Sequence, residues 1–502
     1  MKKLFTLFLV ALTAIAVRAT DYNVPITVIV NGVTSEQTAV ITIVENDGLY
    51  DLTLRNFMLQ SEDGPMGVGN VELKGMKPCQ DGNATLLLTN EVINISVGDD
   101  PDVPFWMASI LPPVPVNLRG KIEGGHLRCF IDIDLVEALG QVIQVAIGDG
   151  YQMPNPGFEA WHTSADDYVE PDGWHSFESA TGALATLAGH HLTKSADAHS
   201  GEASARIYAT SIFGIVANGT MTTGRMNAGS MNATDLVNHA YLDMTMTDVD
   251  GKGNPYYVPL YSRPDSVAVW VKFKQGKANA AHPYATLSAV ITDGTRYQDP
   301  EDQDYTNVVA RAKNNMIATT GGQWVRIAVP FVYTENAVDP QAVLITVSTN
   351  ADAGQGSAND EVLVDDIEFI YNATVTRLTI KGQNVKDFRA DRTSYEMELN
   401  AAITADDIEV AVDGQATHIA KTVEVEDDCY VCHIAAIGAD MSAMSNYVVR
   451  VKSLDTAIRS RQQVANLPAT YFALDGRQVN TLAPGKFYIR RLSDGTTQKI
   501  HR

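Results

Sequence analysis

Residues 24–57 read VPITVIVNGVTSEQTAVITIVENDGLYDLTLRNF. This stretch consists of runs of β-branched and apolar residues that are separated by Asn31-Gly32 and by Asp47-Gly48. Asn-Gly and Asp-Gly are preferred in the two-residue turns of β-hairpins, because both central residues there need positive φ angles. The stretch therefore predicts a ladder of antiparallel strands joined by short turns.

The rest of the chain continues this pattern. Asp293-Gly294 and Asp413-Gly414 mark further turns, and helical periodicity is confined to short segments. Runs rich in β-branched and aromatic residues occur at 267–273, 324–329, 343–348 and 447–451. Short strands at regular spacing are typical of β-sandwiches and barrels, so we predict an all-β protein.

Length and charge limit the classes of function. The chain has 502 residues and a formal net charge of −23, which is enough length for three or four domains of roughly 100–200 residues each. An acidic protein repels phosphate backbones and anionic lipid surfaces, so nucleic acid is not an expected partner. The charge suits an exported protein, or one that uses carboxylates to bind cations.

The N-terminus predicts export. Lys2 and Lys3 precede an apolar run at 4–17, and Val17-Arg18-Ala19 ends in a small residue. We interpret residues 1–19 as a secretory signal peptide. The apolar run is shorter than the roughly 20 residues of a membrane-spanning helix, and no later segment approaches that length. We expect an exported protein without a transmembrane segment, in the periplasm, at the cell surface or outside the cell.

The first predicted domain covers residues 20–150. Its early hairpins, its size and its position resemble the calycin-like, lipocalin-type barrel domains at the N-terminus of exported Bacteroidetes proteins. The resemblance implies an antiparallel β-barrel, whose interior either holds a small ligand or is filled by its own side chains.

The second predicted domain, residues 151–371, carries five short motifs in order. They are NPGFE at 155–159, GWHSF at 173–177, HSGEASARI at 199–207, GQWV at 322–325 and VDDI at 364–367. This set resembles the jelly-roll carbohydrate-binding modules and, more closely, the carbohydrate-metabolism domain of Bacteroidetes. The resemblance implies a jelly-roll β-sandwich and a glycan ligand.

Two smaller units follow. Residues 372–453 resemble the immunoglobulin-like or cadherin-like sandwiches that act as spacers behind such modules. Residues 457–502 contain two strand-like segments and resemble the C-terminal sorting domains of the type IX secretion system. That resemblance implies an outer-membrane or secretion-machinery partner for the tail.

The jelly-roll resemblance also implies a structural calcium ion that ties the first strand to the last. Calcium takes six to eight oxygen ligands, so acidic residues have to converge from distant parts of the chain. The matching positions are Glu159, Glu202 and Asp366. The alternative is that these carboxylates are exposed or bonded to backbone.

Sugars bind such modules by stacking on aromatic rings. We expect Trp174 at an exposed rim because it follows the turn at 171–173, and we expect Trp270 and Trp324 in the core because they lie in apolar strands. The candidate carbohydrate-binding residues are Trp161, Trp174, His175, Tyr256, Tyr297 and Tyr305.

The four cysteines carry no predicted chemistry. Cys79 and Cys129 are candidates for a disulfide bond in an oxidising compartment. Cys429 and Cys432 form a C-x-x-C pair, but residues three apart point to opposite faces of a strand, and no second pair completes a zinc site.

We therefore expect an exported, non-catalytic glycan-binding protein. The first alternative is a cryptic glycoside hydrolase, with Glu159 and Glu178 or an acid of the loop after Asp299 as carboxylates, although no pair is singled out. The second is a fimbria-like interaction protein whose β domains are spacers. The third is a small-ligand carrier that uses the N-terminal barrel.

Overall fold

The computed structural model describes most of the chain and confirms the all-β class. The described residues are 18–31, 33–60, 64–163, 168–247, 255–426, 429–452, 469–473, 477–479, 481–483, 486–492 and 497–501. Most of the predicted signal peptide therefore lies outside the described residues. Among the described residues, no helix has the length and apolar character needed to cross a membrane.

Two compact units make up the fold. The first contains the described residues up to Ala373 together with Gly414–His418 and Ile437–Ala443. The second contains Thr374–Asp413, Ile419–Ala436 and the described residues from Met444 onward.

The first unit begins with a nine-stranded antiparallel sheet. Its strands are β1 (Arg18–Val30), β2 (Val33–Asn46), β3 (Leu49–Leu59), β4 (Met66–Met76), β5 (Pro78–Asp81), β6 (Ala84–Ile93), β7 (Val114–Glu123), β8 (His126–Leu135) and β9 (Gln141–Ile147), with short helices at Met107–Ser109 (3₁₀) and Val136–Leu139 (α1). The strand order is β4-β3-β2-β1-β9-β8-β7-β6-β5. The sheet curls into a half-barrel, as the N-terminal pattern predicted.

The two turns that the sequence predicted join the first three strands. β1 and β2 pair without a break from Arg18 to Val30, and β2 pairs with β3 up to Asn46 and Leu49. Asp47 and Gly48 have φ angles of 52° and 76°, which is the left-handed geometry of a type I′ turn. The hairpin prediction is confirmed.

The central part of the first unit contains many short strands. These are β10 (Trp161–Thr163), β11 (Val169–Pro171), β12 (Leu192–Ser195), β13 (Ser204–Tyr208), β14 (Thr210–Ile212), β15 (Ile215–Ala217), β16 (Thr220–Thr222), β17 (Arg225–Asn227), β18 (His239–Thr247), β19 (Pro255–Tyr256), β20 (Val258–Pro259), β21 (Ser266–Lys274), β22 (Ala285–Thr292), β23 (Tyr297–Asp299), β24 (Val308–Ile317), β25 (Val325–Pro330), β26 (Val332–Tyr333), β27 (Ala342–Ser348) and β28 (Glu361–Ile370). Short helices occur at Phe177–Ser179 (3₁₀) and Ala185–Ala188 (α2).

Two sheets form the sandwich of this part. The five-stranded sheet has the order β12-β13-β28-β21-β25, and the six-stranded sheet has the order β16-β27-β22-β24-β26 with β20 beside β27. Alternate residues of β21 and β22, such as Val269 and Leu287, face each other in one apolar core. The two antiparallel sheets form a β-sandwich, in agreement with the predicted all-β class.

A third layer covers part of the six-stranded sheet from outside. It consists of β17, β18 and β19, with β23 also paired to β18. A second apolar cluster lies under it, where Val290 and Leu344 of the sheet meet Leu242 and Tyr297 of the layer. One half of the outer face of the sheet is therefore buried, and the other half is not covered by this layer.

The second unit is also built from β-strands. Its strands are β29 (Val375–Ile380), β30 (Gln383–Asn384), β31 (Ser394–Glu398), β32 (Ile408–Val412), β33 (His418–Glu426), β34 (Cys429–Ile437), β35 (Met444–Lys452), β36 (Ala469–Ala473), β37 (Gln478–Val479), β38 (Phe487–Leu492) and β39 (Thr497–His501). β29 to β35 enclose one apolar core, and β36 to β39 form a separate four-stranded sheet.

All four cysteines are free thiols. Cys79 lies on β5 and Cys129 lies on β8, and β6 and β7 separate these strands in the sheet. Three strand spacings amount to about 14 Å, which is beyond the reach of a disulfide bond. Pairing of Cys79 with Cys129, which the sequence allowed, is therefore excluded in this fold.

Candidate functional site

The predicted carbohydrate-binding aromatic residues do not form one exposed surface. Trp174 is fully buried in the sandwich core, and its ring lies 5.3 Å from that of Phe158. The turn at 171–173 forms as predicted, with the amide of Trp174 donating to the carbonyl of Pro171. The expectation of a rim position was wrong because a turn fixes the backbone path but not the direction of the following side chain. Trp161 is half-buried and packs against the same core.

The other predicted aromatics form two separate pairs. His175 and Tyr256 are both buried, with ring centroids 4.4 Å apart. Tyr297 is buried and meets the half-buried Tyr305 edge-on at 4.9 Å. These rings stabilise loops and the third layer, and the structure does not bring them together with Trp174 in one exposed surface.

The tryptophans that the sequence placed in the core are half-buried instead. Trp270 stacks on His199 with a centroid distance of 3.7 Å, and Trp324 meets the same imidazole edge-on. The ammonium group of Lys272 lies 5.1 Å from the ring centroid of Trp324. His199 therefore covers one face of the Trp270 indole, and Lys272 covers one face of the Trp324 indole. The cluster lies on the outer face of the five-stranded sheet.

The predicted calcium residues do converge on one loop. Glu159 accepts hydrogen bonds from the amides of Glu202 and Ala203, at 2.8 and 3.1 Å. From the last strand, Asp366 accepts from the Ser200 hydroxyl at 2.8 Å and contacts Nδ1 of His199 at 2.6 Å. We call Glu159, Asp365 and Asp366, gathered around loop 199–203, the carboxylate clasp.

Asp365 is the buried member of the clasp. Its carboxylate accepts hydrogen bonds from the amides of His199 (2.7 Å), Ser200 (3.3 Å) and Asp366 (2.9 Å). Burial and the nearby charge of Asp366 raise the pKa of Asp365 to about 6, and all three of these amides oppose that shift. Gly201 completes the loop at φ 64°, and a Cβ there would collide with the Glu159 carboxylate.

Hydrogen bonds hold the clasp together. Oε1 of Glu159 and both oxygens of Asp365 and of Asp366 contact N–H or O–H groups, and the Glu202 side chain is exposed. Within the described ranges, no group of three or more His, Cys, Asp or Glu side chains is arranged to hold a metal. Calcium stays a prediction from the sequence.

The candidate functional site is a groove on the uncovered half of the six-stranded sheet. Three strands contribute the same triplet, a hydroxyl residue on each side of an inward apolar residue: TMT at 220–222, TLS at 286–288 and TVS at 346–348. Met221, Leu287 and Val347 enter the core, so the flanking hydroxyl residues all lie on the outer face.

The strand register aligns these hydroxyl residues in two rows. Ser348 pairs with both Thr220 and Thr286, and Thr346 pairs with both Thr222 and Ser288. The second row continues onto β24, where Lys313 pairs with Ser288. We call this floor and the cavity above it the hydroxyl groove; the cavity has a volume of about 300 Å³.

Aliphatic side chains form the walls of the hydroxyl groove. Leu187 comes from α2, Ile215 from the β14–β15 hairpin and Met231 from the loop before β18. These three are 48%, 39% and 41% exposed although they line the cavity, so its mouth is apolar. A polar floor between apolar walls suits a ligand with both hydroxyl groups and apolar faces.

Two buried carboxylates hold the wall segments in place. Glu170 is fully buried and accepts hydrogen bonds from the Ser176 amide and the Ser179 hydroxyl, on either side of Phe177. Glu178 accepts from the amides of His191 and Leu192. Burial and the nearby charge of Glu170 raise the pKa of Glu178. These bonds fix the segment that carries Phe177, another lining residue, against the groove.

The charges in the groove are balanced. Asp299 accepts a hydrogen bond from the Ser288 hydroxyl at 2.7 Å, and its other oxygen lies 3.6 Å from the ammonium group of Lys313. His239 also lines the cavity, and burial lowers its pKa. Asp299 is the only carboxylate among the described lining residues. Most glycoside hydrolases use a pair of carboxylates, and the described lining residues of the groove supply one.

Residues 19–147 match the family model of the calycin-like beta-barrel domain. The calycin-like region therefore coincides with the nine-stranded sheet, since β9 also ends at Ile147. No curated protein matches the chain.

The inner face of the calycin-like region is filled by its own side chains. Ile26, Ile41, Leu52, Leu73 and Leu87 are all fully or almost fully buried in one cluster. A ligand between these strands would have to displace that apolar packing. The open cavity with convergent polar groups lies in the central sandwich instead.

Sequence reasoning missed the hydroxyl groove, although a signal for it was present. The triplets TMT, TLS and TVS place hydroxyl residues at alternate positions of three strands that otherwise read as buried. A single triplet is unremarkable. Three of them mark one polar patch only once the strands are known to be neighbours, and that order depends on long crossovers.

Proposed function

We propose that the protein binds carbohydrate in the hydroxyl groove. The observation that carries the proposal is the pair of hydroxyl rows that face the cavity, Thr220–Ser348–Thr286 and Thr346–Ser288, between aliphatic walls. Hydroxyl side chains both donate and accept, as sugar hydroxyls do, and the walls offer contact to the apolar C–H faces of a pyranose. This site replaces the aromatic platform that the motifs suggested.

The size of the cavity favours a short ligand. Ligand pockets commonly range from roughly 300 to 1,000 Å³, and the groove lies at the lower end of that range. We infer that it holds a terminal or branch sugar and not a long stretch of polymer.

A glycan array of the mature chain, with a matched pair of variants, tests the proposal. Thr286 lies in the floor and makes no side-chain hydrogen bond to other described residues, so Thr286→Val removes only a ligand contact. Thr193→Val on β12, in the opposite sheet, is the control. One net hydrogen bond of about 0.5–1.5 kcal/mol predicts a two- to twelvefold weaker Kd for Thr286→Val alone.

Two results would contradict the proposal. One is an array on which no plant, host or microbial glycan binds the wild-type chain. The other is a glycan that binds wild type, Thr286→Val and Thr193→Val with the same affinity, since the ligand would then lie outside the groove.

Export is the second part of the proposal. It is supported by Lys2, Lys3 and the apolar run at 4–17, followed by the small residue Ala19. Mass spectrometry of the N-terminus of protein from cell fractions tests it, and we expect a chain that starts near Thr20. An uncleaved Met1 in the cytoplasmic fraction would contradict it. Sorting by the tail at 457–502 remains a further hypothesis, tested by deleting that segment and measuring release.

A further inference from the structure

The hydroxyl groove is poorly suited to charged sugars. Asp299, the single carboxylate among the described lining residues, has the ammonium group of Lys313 at 3.6 Å. The two opposite charges largely cancel, so the groove has no excess charge with which to offset the desolvation of a charged sugar. An uncharged ligand does not incur that cost.

The walls are suited to methyl groups more than to ring stacking. Phe177 is the one phenyl ring among the lining residues, and it is tilted against His191 with a centroid distance of 4.6 Å. The mouth is formed by the branched or flexible aliphatic chains Leu187, Ile215 and Met231. Aliphatic walls surround a compact apolar group from several sides, whereas a flat pyranose face is matched best by an aromatic ring.

Amide groups lie beside these walls. Asn218 lines the cavity, and its Oδ1 is buried without a hydrogen-bond partner among the described residues. Asn315 lines the floor beside Lys313 and is exposed, so it offers both a donor and an acceptor.

We propose that the sugar held in the hydroxyl groove is an uncharged N-acetylhexosamine. Its hydroxyl groups would face the Thr286 and Ser348 row, its acetamido N–H and C=O would meet the exposed amide of Asn315, and its acetyl methyl would enter the aliphatic wall at Ile215. The inference rests on the proposed function, because it names the class of sugar for the same site.

The test compares matched methyl glycosides on the full mature chain. In both the gluco and the galacto series, the sugar carries a hydroxyl, an ammonium or an acetamido group at C2. We expect the acetamido form to bind at least about tenfold more tightly, as a compact apolar group does in a matching pocket. Saturation-transfer difference NMR should show the strongest transfer to the acetyl methyl protons.

A pair of exposed aliphatic-to-threonine variants locates the methyl contact. Ile215→Thr keeps a β-branched residue in β15 and is expected to reduce the preference for the acetamido form without changing the melting temperature. Val92→Thr, on β6 and 65% exposed, is the matched control outside the groove. Unchanged preference in Ile215→Thr would overturn the assignment of the methyl group to this wall.

The remaining outcomes separate this inference from the proposed function. Equal binding of the hydroxyl and acetamido forms, or array binding confined to sugars without N-acetyl groups, overturns the inference and leaves carbohydrate binding in place. Absence of binding to every glycan overturns both.

Discussion

Replacing Trp174 with alanine should destabilise the central sandwich. The indole is fully buried between the two sheets beside Phe158, and removing a buried tryptophan costs about 3–5 kcal/mol. For a domain of this size, that loss lowers the melting temperature by roughly 6–20 °C. Differential scanning calorimetry of the mature chain measures the shift.

Trp174→Phe is the matched control for this prediction. It keeps an aromatic ring beside Phe158 and removes the indole N–H, which has no hydrogen-bond partner among the described residues. The lost volume and the relieved polar group act in opposite directions, so we expect a cost below about 1.5 kcal/mol. If Trp174→Ala loses glycan binding but melts within about 1 °C of wild type, the indole is a surface ligand contact and the burial argument is wrong.

Three further predictions concern the carboxylate clasp. The folded Asp365 binds its proton more tightly than the unfolded chain does, so its contribution to stability is complete below about pH 4 and is lost by about pH 6. The free energy of unfolding in urea of the wild type, relative to that of Asp365→Asn, should therefore fall by roughly 1–3 kcal/mol across that range. A rise would refute this prediction. Chelation with EGTA should leave the melting temperature unchanged, since Glu159 already accepts hydrogen bonds from backbone amides. The clasp would be shown to bind calcium if EGTA lowered the melting temperature by several degrees, if added calcium reversed the drop, and if Glu159→Gln showed no such drop. Gly201→Ala should cost at least about 1 kcal/mol in urea unfolding, because alanine is strained at φ 64° and its Cβ meets Glu159, and a neutral result would mean that the loop adapts.

The parts of the fold that depend on residues adjacent in the sequence could be predicted from the sequence. Asp47-Gly48 forms the hairpin turn because the local backbone geometry alone decides it. The ends of the sandwich could be predicted as well, since Glu159 and Asp366 meet at one loop as their motifs implied. These features need only short-range preferences or a recognised motif.

Features that depend on which strands pair with each other in a sheet could not be predicted in this way. Thr222, Thr346 and Ser288 form one row only because β27 lies between β16 and β22, an order that no local signal encodes. The direction of Trp174 and the exposure of Trp270 depend likewise on which layer covers each face. The sequence therefore identified candidate aromatic residues, but it could not predict that Trp174, Tyr256 and Tyr297 are buried.

The floor and the walls of the groove differ in how far their sequences are constrained by folding. Its floor residues alternate with core residues on the same strands, as Thr286 and Ser288 flank the buried Leu287, so the backbone beneath the ligand is tied to folding. Its walls, by contrast, come from the β14–β15 hairpin, α2 and the loop that contains Met231. Exchange of those three peripheral segments would therefore change the walls of the groove and leave the sandwich core unaltered.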